Sequence, residues 1–113
     1  MHELSIVESF ISVAIEHAEK ENAERIVRIN LVVGEMTGVV KEAVEFYFSF
    51  LAKDTLASHA EIDFKQVKTR LRCRDCGELF NPDNMNYLCP KCGSEKVDIV
   101  GGRELYVESI EIE

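Results

Sequence analysis

Several features that would place this chain in a membrane, in a secretory pathway or on nucleic acid are missing from its sequence. None of its apolar stretches approaches the ~20 residues that a transmembrane helix requires. The sequence does not begin with a basic region followed by an apolar one, so no signal peptide is evident and a cytoplasmic protein is expected. Basic residues are scarce, with 13 Lys and Arg against 21 Asp and Glu, and the formal net charge is −8. That charge argues against nucleic acid as a partner, because phosphates would be repelled.

The sequence also lacks the residue patterns of common enzymes. It contains no Gly-rich phosphate loop and no cysteine–histidine pair with an obvious base, and it has no repeats or low-complexity segments. Hydrophobic residues make up 46% of the 113 residues, without any tryptophan. This composition predicts one compact domain of modest core with a small appendage. We therefore expect a protein that is not an enzyme.

The most informative residues are the four cysteines, which form two C-x-x-C pairs separated by residues 77–88. Each C-x-x-C turn aims two thiolates at one point, so two such turns supply the four sulfurs of a tetrahedral metal site. A glycine, Gly77 or Gly93, directly follows each pair and lets the chain turn sharply behind the second ligand, while backbone amides bond to the sulfurs. The pairs are Cys73 with Cys76 and Cys89 with Cys92.

Three interpretations compete for these cysteines: a zinc ribbon, disulfides and a rubredoxin-like iron site. Disulfides are disfavoured because nothing in the sequence suggests export to an oxidising compartment. Rubredoxin-like domains share the C-x-x-C-G and C-P-x-C-G turns, but they place a longer, aromatic-rich segment between them. The spacing therefore favours zinc. A closed four-sulfur site has no open position for substrate, so its predicted role is to hold together a segment too small to bury its own core.

A short basic run precedes the first cysteine, in contrast to the acidic composition of the whole chain. Most of its members alternate along the sequence, which predicts a solvated face of a strand. Glutamates of the C-terminal segment are the expected cross-strand partners; docking of an acidic partner is the alternative. The basic residues are Lys65, Lys68, Arg70, Arg72 and Arg74. The glutamates are Glu104, Glu108, Glu111 and Glu113.

Hydrophobic periodicity predicts helices at 4–20 and 41–53 and strands at 25–33, 60–72 and 105–112. A one-residue shift of the apolar face within the strand at 60–72 suggests a β-bulge. This order predicts an α+β fold, with two helices packed on one face of a three-stranded sheet.

The metal-binding segment is then an inserted zinc-ribbon module between the last two strands. Residues 73–100 form this module, and residues 1–72 and 101–113 form the α+β domain. Gly101-Gly102 is expected to act as a hinge or turn between them.

The beginning of the chain, Met1-His2-Glu3, offers a second set of metal ligands. The terminal amine, the deprotonated amide of His2 and its imidazole can chelate one ion, and the amide of Glu3 can complete a nitrogen-rich plane. Such a plane suits Ni(II) and Cu(II), whereas tetrahedral sulfur suits zinc. A histidine at the second position also occurs by chance in many proteins, and a solvated terminal residue is the alternative. His17, expected at the apolar edge of the first helix, and His59, in a loop, carry weaker signals.

Both the cysteine pairs and the amino-terminal sequence resemble those of one known family. The first seven residues, MHELSIV, closely resemble the start of the HypA/HybF metallochaperones, which help insert nickel into hydrogenases and, in some organisms, urease. The resemblance runs the whole length of the chain. It includes the turn at residues 33–36, the aromatic second helix around residues 46–50, both C-x-x-C-G pairs and the closing segments 102–105 and 108–111.

The resemblance implies that His2 is the principal nickel ligand, aided by the Met1 amine and the backbone of Glu3. It implies structural zinc at Cys73, Cys76, Cys89 and Cys92. It also implies two partners, the family's GTPase HypB and the hydrogenase large subunit that accepts nickel, and it makes the α+β domain the nickel-binding one. The recipient enzyme, the choice between monomer and homodimer, and extra nickel ligands such as His17 or His59 stay open. A zinc-ribbon interaction adaptor and a rubredoxin-like electron carrier are the alternative functions.

Overall fold

Two helices, one 3₁₀ turn and six strands form the part of the chain that the computed structural model describes, residues 3–82 and 86–113. Neither helix in those ranges is long and apolar enough to cross a membrane. The helices are α1 (Glu3–Lys20) and α2 (Lys41–Leu51), and the 3₁₀ turn is Glu35–Thr37. The strands are β1 (Ile26–Gly34), β2 (Glu61–Val67), β3 (Arg70–Cys73), β4 (Leu79–Phe80), β5 (Val97–Gly101) and β6 (Leu105–Ile112).

The α+β prediction is confirmed, although the molecule has two small sheets instead of one. The first sheet has the order β2-β1-β6, with β2 parallel and β6 antiparallel to β1. The parallel pair is joined through α2, and both helices contribute to one core with this sheet. The apolar stripe predicted for α1 is buried as expected, at spacings of three and four residues. Its members are Val7, Phe10, Ile11, Ala14 and Ala18.

Strand β1 departs from the simple alternation that its sequence predicts. Ile26 pairs with Ile112 and Arg28 pairs with Glu111, so Val27 is an extra residue in a β-bulge. The bulge turns Ile26 inward, where it is 1% exposed, and leaves Val27 at the surface. The apolar alternation of residues 25–33 predicts Val27 on the same face as Ile29, and the bulge makes that prediction wrong.

The prediction of one continuous strand at 60–72 was also wrong. β2 ends at Val67 in the first sheet, and β3 begins at Arg70 in a second sheet with the order β4-β3-β5. The one-residue shift in the apolar pattern marks the point where the chain passes between two sheets, because each sheet buries a different set of side chains.

The glutamates of β6 do not pair with the basic run. β6 lies beside β1, so Glu113 forms an ion pair with Arg25, and Glu111 lies 3.6 Å from Arg28. The expected cross-strand partnership was wrong because β1, not the strand at 60–72, is the neighbour of β6.

The turn after β1 contacts both connections to the second sheet, and we call this region the junction. The N–H of Gly34 donates to the carbonyl of Glu104 at 2.6 Å. The carboxylate of Glu35 accepts from the hydroxyl of Thr69 at 2.8 Å and from its N–H at 3.3 Å. Thr69 is 4% exposed, and Gly102 is also buried. Gly102 therefore lies within a packed junction.

Candidate metal centre

The two C-x-x-C turns bring all four cysteine sulfurs together. Their Sγ atoms lie within 4.8 Å of one another. The closest contacts cross between the turns, at 3.5 Å from Cys73 to Cys92 and 3.6 Å from Cys76 to Cys89. The first member of each turn is buried, with Cys73 1% and Cys89 3% exposed, whereas the second member is at the surface.

The two turns have the same backbone hydrogen bonds. The N–H of Cys73 donates to the carbonyl of Glu78, and the N–H of Cys89 donates to that of Ser94, each at 2.9 Å. Four residues after the first cysteine of each turn, a glycine N–H donates back to the carbonyl of that cysteine, at 3.0 Å for Gly77. All of these hydrogen bonds lie within residues 73–78 or 89–94, so each loop around the sulfurs is held by its own backbone.

Both glycines that follow the turns adopt the left-handed conformation that the sequence predicts. φ is +78° at Gly77 and +74° at Gly93. A Cβ atom at either position would meet no other atom within 4 Å. Glycine is therefore required by the backbone conformation and not by lack of space.

Side chains tie the turns to each other. The guanidinium of Arg74 binds the carboxylate of Asp98 at 2.7 Å, and the hydroxyl of Ser94 donates to Asp75 at 2.5 Å. The N–H of Arg74 also donates to the carbonyl of Lys96. The first cysteine turn is therefore connected to the second turn through Asp75 and Ser94 and to β5 through Arg74 and Asp98.

The pKa values of the four thiols are shifted in opposite directions. The N–H of Cys76 donates to the sulfur of Cys73 and lowers the pKa of Cys73 to about 7, although burial opposes this. The pKa of Cys92 is raised to about 12: the N–H of Ser94 acts to lower it, but the thiol of Cys73 and burial outweigh that effect. Burial acts to raise the pKa of Cys89, but the N–H groups of Cys92 and Lys91 lower it overall. The N–H of Glu78 acts to lower the pKa of Cys76, but burial and the thiol of Cys89 raise it overall.

The arrangement fits a divalent ion bound by four sulfurs. Zn–S bonds of ~2.3 Å in a tetrahedron place neighbouring sulfurs about 3.8 Å apart. The observed contacts of 3.5 and 3.6 Å and the outer limit of 4.8 Å require little movement to reach that spacing. Cysteine binds zinc as the thiolate, so binding releases protons from the site.

The other predicted metal ligands lie at the amino terminus. Met1 and His2 are outside the described residues. Glu3 begins α1 and is 8% exposed. His17 is exposed and about 21 Å from Glu3 along the helix axis, at 1.5 Å per residue. His17 therefore lies far from the start of α1, and His59 is exposed in the loop before β2.

Two features near these sites have little signal in the sequence. The first is an apolar cavity of about 490 Å³ beside the first turns of α1, lined by Ser5 and Ser9 of the helix and by Leu105 and Tyr106 of β6. The second is the contact between Glu35 and Thr69 at the junction. Both join segments far apart in the sequence, and no local pattern predicts such contacts.

Comparison with known proteins agrees with this geometry. The profile of a family described as "Hydrogenase/urease nickel incorporation, metallochaperone, hypA" matches residues 1–112. A protein of Caldanaerobacter subterraneus named hydrogenase maturation factor HypA is 40% identical over an alignment of 114 positions that covers all of both chains. A protein of the same name from Dehalococcoides mccartyi is 41% identical over 113 residues, covering all of this chain and 95% of the other.

Solved structures show the same fold. The solution structure of the Ni metallochaperone HypA from Helicobacter pylori superposes with a TM-score of 0.67 at 34% identity, covering 99% of this chain and 97% of the other. Another solution structure, described as HypA protein, gives a TM-score of 0.74 at 34% identity over all of this chain and 97% of the other. The chain therefore belongs to the HypA family of hydrogenase and urease nickel-incorporation metallochaperones.

Proposed function

We propose that this protein binds Ni(II) at its amino terminus and delivers it for the maturation of [NiFe] hydrogenase or urease. The observation that carries the proposal is the family match over residues 1–112, which includes Met1-His2-Glu3. The nitrogen ligands would be the Met1 amine, the amide and imidazole of His2, and the amide of Glu3. A plane of nitrogens suits Ni(II).

The start of α1 at Glu3 supports amide ligation. The positive end of the helix dipole favours negative charge at this position. Nitrogen ligands immediately before the helix are therefore compatible with an intact α1.

Such a site would release its cargo readily. A chain terminus pays ordering entropy when it wraps an ion, which moderates the affinity. Binding also displaces protons from the amine, whose ordinary pKa is ~8, and from the amides. We therefore expect nickel to be captured at neutral pH and lost as the pH falls. Copper would bind the same nitrogens more tightly, so the partners must decide which metal is transferred.

The four cysteines would hold zinc in a structural role. We propose that residues 73–100 form the zinc module and that residues 1–72 and 101–113 form the nickel domain. The HypB-type GTPase and the hydrogenase large subunit are the proposed partners. Function in the cytoplasm would keep the thiols reduced. The chain would act without catalysis of its own.

Calorimetric titration of the untagged protein with Ni(II) tests the proposal. Replacing His2→Ala, or adding a short N-terminal extension, should abolish stoichiometric nickel binding and leave the circular dichroism spectrum unchanged. The matched control is His17→Ala, which removes an exposed histidine from the same helix and should retain full affinity. Full nickel affinity in both terminal variants would refute the proposed site.

Metal analysis of freshly purified protein tests the cysteine site at the same time. One zinc per chain is the expected result. Iron, with a red colour and a sulfur-to-iron charge-transfer spectrum, would instead favour the rubredoxin-like alternative.

A further inference from the structure

Among the residues that the structure describes, four cations on the approach to the metal centre form no ion pair with an acid. We call Lys65, Lys68, Arg70 and Arg72 the basic strip. All four side chains are exposed. None forms an ion pair with a carboxylate anywhere in residues 3–82 and 86–113.

Several acids near the basic strip or on β6 have other partners. Asp98 lies opposite Arg72 in the sheet, but its carboxylate binds Arg74. The carboxylate of Glu104 accepts the N–H of Gly102 at 2.7 Å. Glu111 pairs with Arg28 of β1, and Glu113 pairs with Arg25 just before that strand. Within the described part of the chain, the strip therefore presents four cations outside any ion pair, on a protein whose net charge is −8.

The backbone under the basic strip is held in place. β3 is the central strand of the second sheet, paired with both β4 and β5. Residues 68–73 are alternately exposed and buried, with Leu71 and Cys73 each 1% exposed. Thr69 is fastened by Glu35. A partner would therefore meet cations on a backbone that is already ordered, and little further backbone entropy would be lost on binding.

The spacing of the cations indicates the shape of the partner. Alternate residues on a strand are ~6.7 Å apart, so Lys68, Arg70 and Arg72 span about 13 Å along one face. An extended chain with a carboxylate at every second residue has the same repeat. Arginine also binds carboxylates through two parallel hydrogen bonds, which adds geometric selectivity.

We propose that the basic strip docks an extended acidic segment of a partner protein. Arg70 and Arg72 lie on the strand that ends in Cys73, so this contact would place the partner against the zinc module. Nucleic acid fits less well, because the overall negative charge would repel a polyanion that extends beyond the strip. This interaction does not depend on nickel binding.

Fluorescence anisotropy with a peptide of about ten residues that alternates glutamate with serine tests the proposal. Binding should be measurable at about 50 mM salt and much weaker at about 200 mM. Arg70→Glu with Arg72→Glu should weaken it about tenfold or more, since two attractions become repulsions. Arg70→Lys with Arg72→Lys should bind within about threefold of the parent protein, because both charges remain.

The matched control is Lys41→Glu with Lys53→Glu, which changes the net charge equally at exposed sites outside the strip. It should bind the peptide nearly as well as the parent protein. Zinc content and circular dichroism report folding, and Arg70→Gln with Arg72→Gln replaces the double glutamate variant if that variant does not fold. Nickel titration should be unchanged in every variant, which separates this proposal from the nickel site.

Three results would overturn the proposal. The first is no peptide binding to the parent protein at the lower salt concentration. The second is equal weakening by the strip variant and the matched control. The third is tighter strip-dependent binding of an oligothymidylate of the same length, which would make the strip a nucleic-acid surface.

Discussion

Replacing Gly34→Ala should destabilise the protein sharply, although alanine suits the local backbone. Gly34 has φ −74° and ψ 143°, an extended conformation open to any residue. The obstacle is space: an added Cβ would overlap the carbonyl carbon and oxygen of Gly102 and lie 2.6 Å from the nitrogen of Arg103. All three are backbone atoms, so they cannot move aside by a change of rotamer.

The cost can be worked from the contacts. Overpacking of this kind costs ~1–3 kcal/mol. Moving the segment at Gly102 also strains two backbone hydrogen bonds, from Gly34 to Glu104 and from Met36 to Gly102, each contributing ~0.5–1.5 kcal/mol. Restriction of the unfolded chain by alanine offsets about 0.4–1 kcal/mol. We therefore expect a net loss of about 2–4 kcal/mol in the free energy of unfolding.

Urea denaturation followed by circular dichroism measures this loss. The matched control is Gly101→Ala, one residue before the carbonyl that Gly34 meets. A Cβ atom at Gly101 would have its nearest neighbours at 3.5 to 3.8 Å, which is ordinary contact, so the change should cost less than about 0.5 kcal/mol. Equal stability of the two variants would refute close packing at the junction.

Three further outcomes are expected. Cys73→Ser should remove zinc and expose residues 73–100 to proteolysis while the helical circular dichroism is largely kept; an intact zinc segment would contradict the structural role. Val33→Ala, at a site that is 1% exposed, should lower the free energy of unfolding by about 2 kcal/mol. Val27→Ala, at the surface of the same strand, should lower it by less than about 1 kcal/mol. Equal losses in the two variants would contradict the bulge. Removing the metal from the parent protein with a chelator should also expose residues 73–100 to proteolysis, because no ion then holds the four cysteines together; protection equal to that of the zinc-loaded protein would contradict the structural role.

The parts of the molecule that were predicted correctly depend on short-range chemistry. The stripe of α1 follows from spacings of three and four residues, and Asn22 adopts a left-handed φ of +56° just after this helix. The cysteine turns follow in the same way, because two ligands three residues apart and a glycine behind them define most of the geometry. Burial of Cys73 and Cys89 adds only the final orientation.

The errors concern pairings between distant segments. Nothing local in the sequence reveals that β6 lies beside β1, and this neighbour decides that Glu111 meets Arg28 and leaves the basic strip without acids. The bulge at Val27 depends on the same pairing. The break between β2 and β3 was visible in the sequence as a one-residue shift of the apolar face. A β-bulge and a change of sheet produce the same shift, so the sequence pattern alone does not distinguish them.

The sequence by itself determined the family, the two helices, the identity of the four sulfur ligands and the candidate nickel nitrogens, because each depends on residues close together in the chain. Only the tertiary structure decided which strands pair, which cations lack partners and how Gly34 packs against Gly102. Those properties depend on packing and ion pairing between segments that are distant in the sequence, and such segments come together only when the whole chain folds.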